Sequence, residues 1–175
     1  MYRELREGGT VGNVRKVVET YARDVFPDDV HLRAKGRLHV SIVRVSKKAP
    51  FLQSVYVNEF EDKEDLIQAL LTSSHVPLYM NTEVTSTYRD QVCVDGGLGA
   101  NFIPRPPCTE PVTVCCFPGM PFESDIAPGK YSECALSTFQ MLQCAFLPPD
   151  EGRIMELFEL GVQDVLDWAT QAVDM

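Results

Sequence analysis

Six consecutive residues, Val112-Thr113-Val114-Cys115-Cys116-Phe117, form a near-continuous apolar run. Such a run fits a strand buried on both faces, as in an α/β layer where helices cover the sheet. The rest of the sequence supplies the other layers. Residues 10–26 place Val14, Val17, Val18, Tyr21, Val25 and Phe26 at helical spacing, with Thr10 or Asn13 as cap and Pro27-Asp28-Asp29 as terminator. Residues 37–45 alternate at Leu38, Val40 and Ile42, and residues 52–58 follow around Val55 and Val57. Turn residues from Ser46 to Pro50 lie between them, so 37–58 reads as a hairpin. A second helix is predicted from Glu61 to Ser73, capped by Asp62, with acids at 64 and 65 in its first turn and Pro77 preventing its continuation. Residues 80–90 are polar and read as a loop, and residues 91–94 form a short strand. Residues 118–133 read as loop and 136–146 as a short helix. The long helix 151–172 can be capped by Asp150, and its stripe through Ile154, Leu157, Phe158, Gly161, Val165, Trp168 and Ala169 reads as core.

Composition narrows the classes. With 175 residues, 45% of them apolar and 23% charged, the chain suits a single domain spanning 1–175. No stretch reaches the roughly 18 apolar residues of a membrane-spanning helix, and the first nine residues lack the apolar core of a secretory signal. The net charge of −9 argues against nucleic acid, whose phosphates need clustered Lys and Arg. That charge is uneven: residues 1–50 carry a net +5 and the remainder a net −14. The basic third reads as a solvated surface and a charged helix, the other reading being proximity to anionic lipid head groups. The six cysteines (93, 108, 115, 116, 134, 144) contain no C-x-x-C pair, and His31, His39 and His75 lie upstream of all of them. No zinc site and no cofactor are therefore expected, and the cysteines are expected to be reduced and structural in a cytoplasmic setting. A zinc or redox protein has only the cysteine number behind it.

Few residues stand out chemically. Asp95-Gly96-Gly97 closes the strand 91–94. A carboxylate at the carboxyl end of a sheet strand sits where open α/β folds place ligands, and two glycines allow a sharp turn. Taken alone, the tripeptide is also an ordinary turn. Ser73, Ser74 and His75 read as a polar cluster at a helix end, and His39 as a satisfied imidazole. The apolar loop Phe117 to Phe122 either touches lipid or packs over the sheet.

An ordered set of segments then gives these residues context. They are Gly36-Arg37-Leu38-His39-Val40-Ser41, Arg44-Val45-Ser46, Lys63-Glu64-Asp65-Leu66-Ile67-Gln68-Ala69-Leu70, Ser74-His75-Val76-Pro77-Leu78-Tyr79, Val94-Asp95-Gly96-Gly97, Ser124-Asp125-Ile126-Ala127-Pro128 and Phe146-Leu147-Pro148-Pro149. In order and rough spacing the set resembles the patatin-like phospholipases, within them the adiponutrin and adipose triglyceride lipase branch, from about Val14 to about Trp168. The resemblance implies a three-layer α/β/α sandwich that hydrolyses acyl esters of glycerolipids with a Ser–Asp dyad. The serine stands in a G-x-S-x-G elbow, the aspartate in an Asp-Gly-Gly turn, and an upstream glycine-rich loop supplies the oxyanion hole. By resemblance Asp95 is the base that takes the serine proton, and Gly96 and Gly97 shape its turn.

The sequence departs from that pattern in its nucleophile. No serine among the 175 residues has glycine at both −2 and +2. Gly8-Gly9-Thr10-Val11-Gly12 precedes a helix with no strand before it, and reads as a linker or helix entry. The chain thus looks like the C-terminal part of the domain, lacking the N-terminal strands and the nucleophile elbow. After the dyad turn, Asn101 matches the family, Ala100 replaces an acid and Pro104 comes about one residue late. The expectation is a lipid acyl-ester hydrolase fold that is inactive as this chain alone, acting on a glycerolipid or lipid surface such as a lipid droplet. A protein partner covering an exposed sheet edge is also expected. The alternative is a non-enzymatic lipid- or partner-binding remnant of that fold.

Overall fold

The computed structural model describes residues 10–98, 103, 105, 110–131, 133, 134 and 136–173. The chain divides into two compact units, Met1–Pro106 and Pro107–Met175.

The first unit is a four-stranded antiparallel sheet with helices. Helix α1 (Val14–Val25) and the short α2 (Val30–Ala34) precede a hairpin of β1 (Val40–Val45) and β2 (Leu52–Val57). Helix α3 (Lys63–Ser73), β3 (Ser86–Tyr88) and β4 (Gln91–Asp95) follow, and a 3₁₀ turn runs over Gly96–Leu98. The strand order is β2-β1-β4-β3, so β2 and β3 are the edges. The register pairs Val40 with Val57 and Ile42 with Val55 on one side of β1, and Ile42 with Asp95 on the other. Partnered residues share a face, so Val40, Ile42, Val57 and Cys93 project together. They join Leu66 and Ala69 of α3, with Phe60 and Tyr88, in one buried cluster. The α/β expectation holds at this level, with an antiparallel sheet.

Helix α3 starts where its sequence dictates. The Asp65 backbone N–H donates to Asp62 Oδ1 at 2.8 Å, a cap worth about 1 kcal/mol. Its wide apolar face buries Leu66, Ile67, Ala69, Leu71 and Thr72. Helix α1 buries none of its residues. It is tied instead by backbone bonds, Gly12 N to Tyr79 O at 2.8 Å and Arg15 N to Met80 O at 3.0 Å. Gly12 has φ +82, a left-handed conformation that glycine takes without strain. The glycine-rich stretch therefore ends as a helix entry, while Gly8 and Gly9 lie outside the described residues. Arg23 adds a forked pair to Glu64 at 2.6 and 3.0 Å, but both side chains are about half exposed and the pair contributes little stability.

Strand β3 corrects the loop expected over 80–90. It pairs with β4 through a two-residue turn at Arg89 and Asp90, both at positive φ (46 and 59). Such turns usually show Asn-Gly or Asp-Gly. Here Arg89 is held by its side chain, which donates to Asp65 at 2.5 and 3.1 Å and to the Glu59 carbonyl at 3.0 Å.

In the second unit, the run 112–117 is not a strand buried on both faces. It makes one isolated parallel bridge, Val114 to Ile126. Thr113 and Cys115 turn inward, whereas Val112, Val114 and Cys116 are exposed. Asp125 anchors the bridge: its Oδ2 accepts from the Thr113 N–H at 2.7 Å and from the Thr113 hydroxyl at 2.6 Å. Helix α4 (Thr138–Phe146) opens with a capping box between Ser137 and Gln140. Helix α5 (Glu151–Val173) opens with the Arg153 N–H on Asp150 Oδ1 at 2.9 Å. The stripe predicted as core is not buried: Ile154, Phe158, Gly161 and Val165 are exposed, Phe158 at 65%, and Leu157, Trp168 and Ala169 are half-buried.

Candidate active site

Asp95 ends β4, beside Ile42 of β1. The next residue has no room for a side chain. A Cβ on Gly96 would lie 2.3 Å from the Ser41 carbonyl oxygen, a backbone atom that cannot swing aside. Glycine here lets the chain turn against β1. The turn is closed by the aspartate itself, whose Oδ1 accepts the Gly97 N–H at 2.7 Å. The other carboxylate oxygen makes no hydrogen bond among the described residues. Burial raises the pKa of Asp95, with the Gly97 N–H and His75 acting in the opposite direction. The three residues expected to form the dyad turn are thus together in one tight element. Ala100, Asn101 and Pro104 lie outside the described residues.

A buried polar cluster stands near this turn. Helix α1 delivers Arg15, whose guanidinium donates to Gln68 Oε1 at 2.9 Å and to the Ser86 hydroxyl at 3.3 Å. The hydroxyls of Ser86 and Thr72 share a hydrogen bond at 3.2 Å. His75, just beyond the end of α3, is wholly buried, and neither of its ring nitrogens has a hydrogen-bond partner among the described residues. Burial, then the charge of Arg15, lowers its pKa, while Glu83 and Asp95 act to raise it. The neutral imidazole is therefore favoured in the folded state.

The sequence groups His75 with a helix-end polar cluster, and burial sets it apart from Ser74. Ser74 is exposed and donates to the Leu70 carbonyl at 2.7 Å, as helix-end serines do. Arg15, Gln68, Thr72 and Ser86 carried no chemical signal in the sequence. The i, i+4 spacing of Gln68 and Thr72 on α3 is the one available hint, and Ser86 sits on the unread strand.

Ser41 does not stand in for a nucleophile. Its hydroxyl is buried without a partner among the described residues. By strand alternation its side chain projects to the face opposite Ile42, and Ile42 is the register partner of Asp95. The site therefore offers a half-buried carboxylate with one oxygen committed to the turn and one able to accept a proton from a hydroxyl within reach. Among the described residues no group of three or more His, Cys, Asp or Glu side chains could hold a metal ion. No helix among them is long and apolar enough to cross a membrane. Cys93 and Cys115 are buried, Cys134 and Cys144 half-buried and Cys116 exposed.

Comparison with known proteins finds relatives over most of the chain. The chain is 31% identical to patatin-like phospholipase domain-containing protein 4 of Homo sapiens over 155 residues, covering 81% of this chain and 58% of that protein. It is 34% identical to the omega-hydroxyceramide transacylase of Homo sapiens over 81% of this chain and 27% of that protein. It is 32% identical to a 1-acylglycerol-3-phosphate O-acyltransferase of Mus musculus over 66% of this chain and 26% of that protein. The chain thus spans about half the length of the first of these relatives and about a quarter of the other two. No family model matches the sequence, and no solved structure matches it.

Proposed function

Because the chain belongs to the patatin-like phospholipase family, corresponding to the C-terminal part of its domain, we propose that Asp95 is the base of a Ser–Asp dyad acting on acyl esters of glycerolipids. The observation that carries this is the half-buried carboxylate at the end of β4, with one oxygen closing the turn and the other uncommitted. In the reaction a serine hydroxyl attacks the acyl carbonyl as its proton passes to Asp95. Backbone N–H groups stabilise the oxyanion, and the proton then leaves with the alcohol. Water as acceptor of the acyl group gives hydrolysis, and a second lipid hydroxyl gives transacylation, in keeping with the names of two relatives. The serine comes from outside these 175 residues, since none of them stands in G-x-S-x-G. In this reading the end of β4 at Gly96 belongs to an α/β/α sandwich working at a lipid surface.

The test uses the native protein with a glycerolipid ester as substrate. Asp95→Asn is expected to lower turnover by about 10²–10⁴-fold with an unchanged circular dichroism spectrum. Retention of more than a tenth of the activity overturns the assignment. The 175-residue chain by itself is expected to leave a fluorophosphonate probe unreacted, and stoichiometric labelling of any of its serines would overturn the placement of the nucleophile elsewhere.

A second reading, lipid or partner binding without chemistry, draws on the exposed Phe139, Met155, Phe158 and Leu166 of α4 and α5. It is favoured if Asp95→Asn leaves function intact while the chain co-sediments with anionic vesicles in a salt-sensitive manner.

A further inference from the structure

The second unit holds a groove of about 340 Å³. Its walls come from the extended stretch 114–117 with Ile126 and Pro128, from α4 around Met141, and from α5 between Leu157 and Val165. Apart from thiols and backbone, one polar group among the described residues reaches it, the carboxyl of Asp164. Asp164 is 7% exposed and has no hydrogen bond or ion pair among the described residues. No Lys or Arg among the described residues lines the groove. A carboxyl placed among apolar side chains without a partner is costly, and the helix would be more stable with Leu there. Desolvation pushes its pKa up, and the neighbouring Asp167 adds to this, as expected for a charge with no counter-charge.

One turn earlier α5 carries Gly161, which also lines the groove. Glycine inside a helix is unfavourable relative to alanine. Here it is not forced by crowding, because a Cβ would meet nothing within 4 Å. Its effect is to keep the groove floor open beside Asp164. Two unfavourable choices on one helix face thus coincide at one cavity: a missing side chain that leaves space and a residue 7% exposed whose carboxyl has no partner among the described residues.

We propose that this groove binds a single-chain amphiphile with a cationic head, its hydrocarbon tail along the apolar walls and an alkylammonium group on Asp164. The apolar lining selects the tail. The carboxyl selects the sign of the head, since Asp164 with Asp167 beside it repels carboxylate and phosphate heads. Binding removes the unpaired state of Asp164 by a charge-assisted hydrogen bond in a poorly solvated place.

The test is calorimetric titration of the whole chain with n-dodecylammonium, n-dodecanol and n-dodecanoate, each below its micellar range, at about 0.15 M salt to screen the acidic surface. The expected result is one site for dodecylammonium, with dodecanol and dodecanoate at least about tenfold weaker, a difference of about 1.4 kcal/mol. Asp164→Asn should abolish the preference for the cation. Gly161→Leu, which fills the floor, should weaken every ligand, and Glu159→Gln, an exposed charge on the same helix, should change nothing. Equal affinity for dodecanoate or dodecanol overturns the proposal, as does a cation preference that survives Asp164→Asn. Binding that is multi-site, or that responds equally to Glu159→Gln, assigns the affinity to the acidic surface and also overturns it.

Discussion

In the first unit Ile42, Val43, Leu66, Ile67, Leu71 and Cys93 are all less than 2% exposed. In the second, the most buried apolar side chains are Cys115 and Leu136, both at 5%, while Phe139 and Phe158 stand 75% and 65% exposed. Both units draw on the same kind of sequence, amphipathic helices and short apolar runs. The difference lies in what those faces meet. On the face that α3 covers, strand alternation gathers Val40, Ile42, Val57 and Cys93 into one core, and Val43 and Val94 are buried on the opposite face. Among its described residues the second unit has one bridge in place of a sheet, and α4 and α5 use part of their apolar surface to wall a groove and leave part exposed. Apolar content thus predicts that a segment has something to bury; the partner element decides whether it does.

Gly96→Ala should give the largest effect. The added carbon falls 2.3 Å from the Ser41 carbonyl, so β1 or the turn must move. A loss of about 3 kcal/mol in urea unfolding is expected, at the upper end for overpacking. A loss below about 1 kcal/mol would show that the turn is soft and that the first unit is less rigid than its burial suggests.

Next, a matched pair of truncations sets the units against each other. Ile42→Ala should cost about 3 kcal/mol, and Phe158→Ala less than about 0.5 kcal/mol. Comparable losses would show that Phe158 is packed in solution and would erase the contrast.

The smallest effect is the pH dependence, and it runs in opposite directions at two buried groups. His75 is held below its usual value of about 6.5, so the unfolded state takes up protons first. Its contribution to stability is complete above that value and is lost as pH falls through it toward the lower folded value. Asp164 is held above its usual value, so the folded state keeps its proton longer and gains stability as pH falls through that window. Asp95 acts in the same sense as Asp164. Thermal unfolding between about pH 7.5 and about pH 5.5 should show a decline that His75→Gln flattens. A decline unchanged in that variant would remove His75 from the account.

Legibility followed the range of the interactions that build each element. The hairpin, α3 with its Asp62 cap and α5 with its Asp150 cap are written in local periodicity and local hydrogen bonds, and all were legible. Strand β3 was not, because its turn places Arg89 and Asp90 at positive φ through a long-range pair with Asp65. The run 112–117 departs from its expected strand because composition reports apolar character and is silent on how many neighbours a strand finds. At the proposed site, the turn at Asp95 was legible from its two glycines, while a role for Asp95 as base rests on the family resemblance. Arg15 and His75 were not legible, because backbone bonds of Gly12 and Arg15 to residues 79 and 80 bring α1 to the end of α3.

The 2.3 Å approach at Gly96 also bears on how related sequences should be read. Every side chain other than hydrogen is refused at that position by a backbone atom, whatever chemistry the neighbouring carboxylate performs. A glycine kept at 96 through divergence is therefore a record of steric selection, and a lineage that has abandoned catalysis must still keep it while it keeps the sheet. Position 95 has no such obligation beyond an oxygen for the Gly97 N–H, which asparagine also supplies. Under the proposed dyad, aspartate persisting at 95 where asparagine would serve the turn is the mark of retained chemistry, and drift at 95 beside a fixed 96 is the mark of its loss.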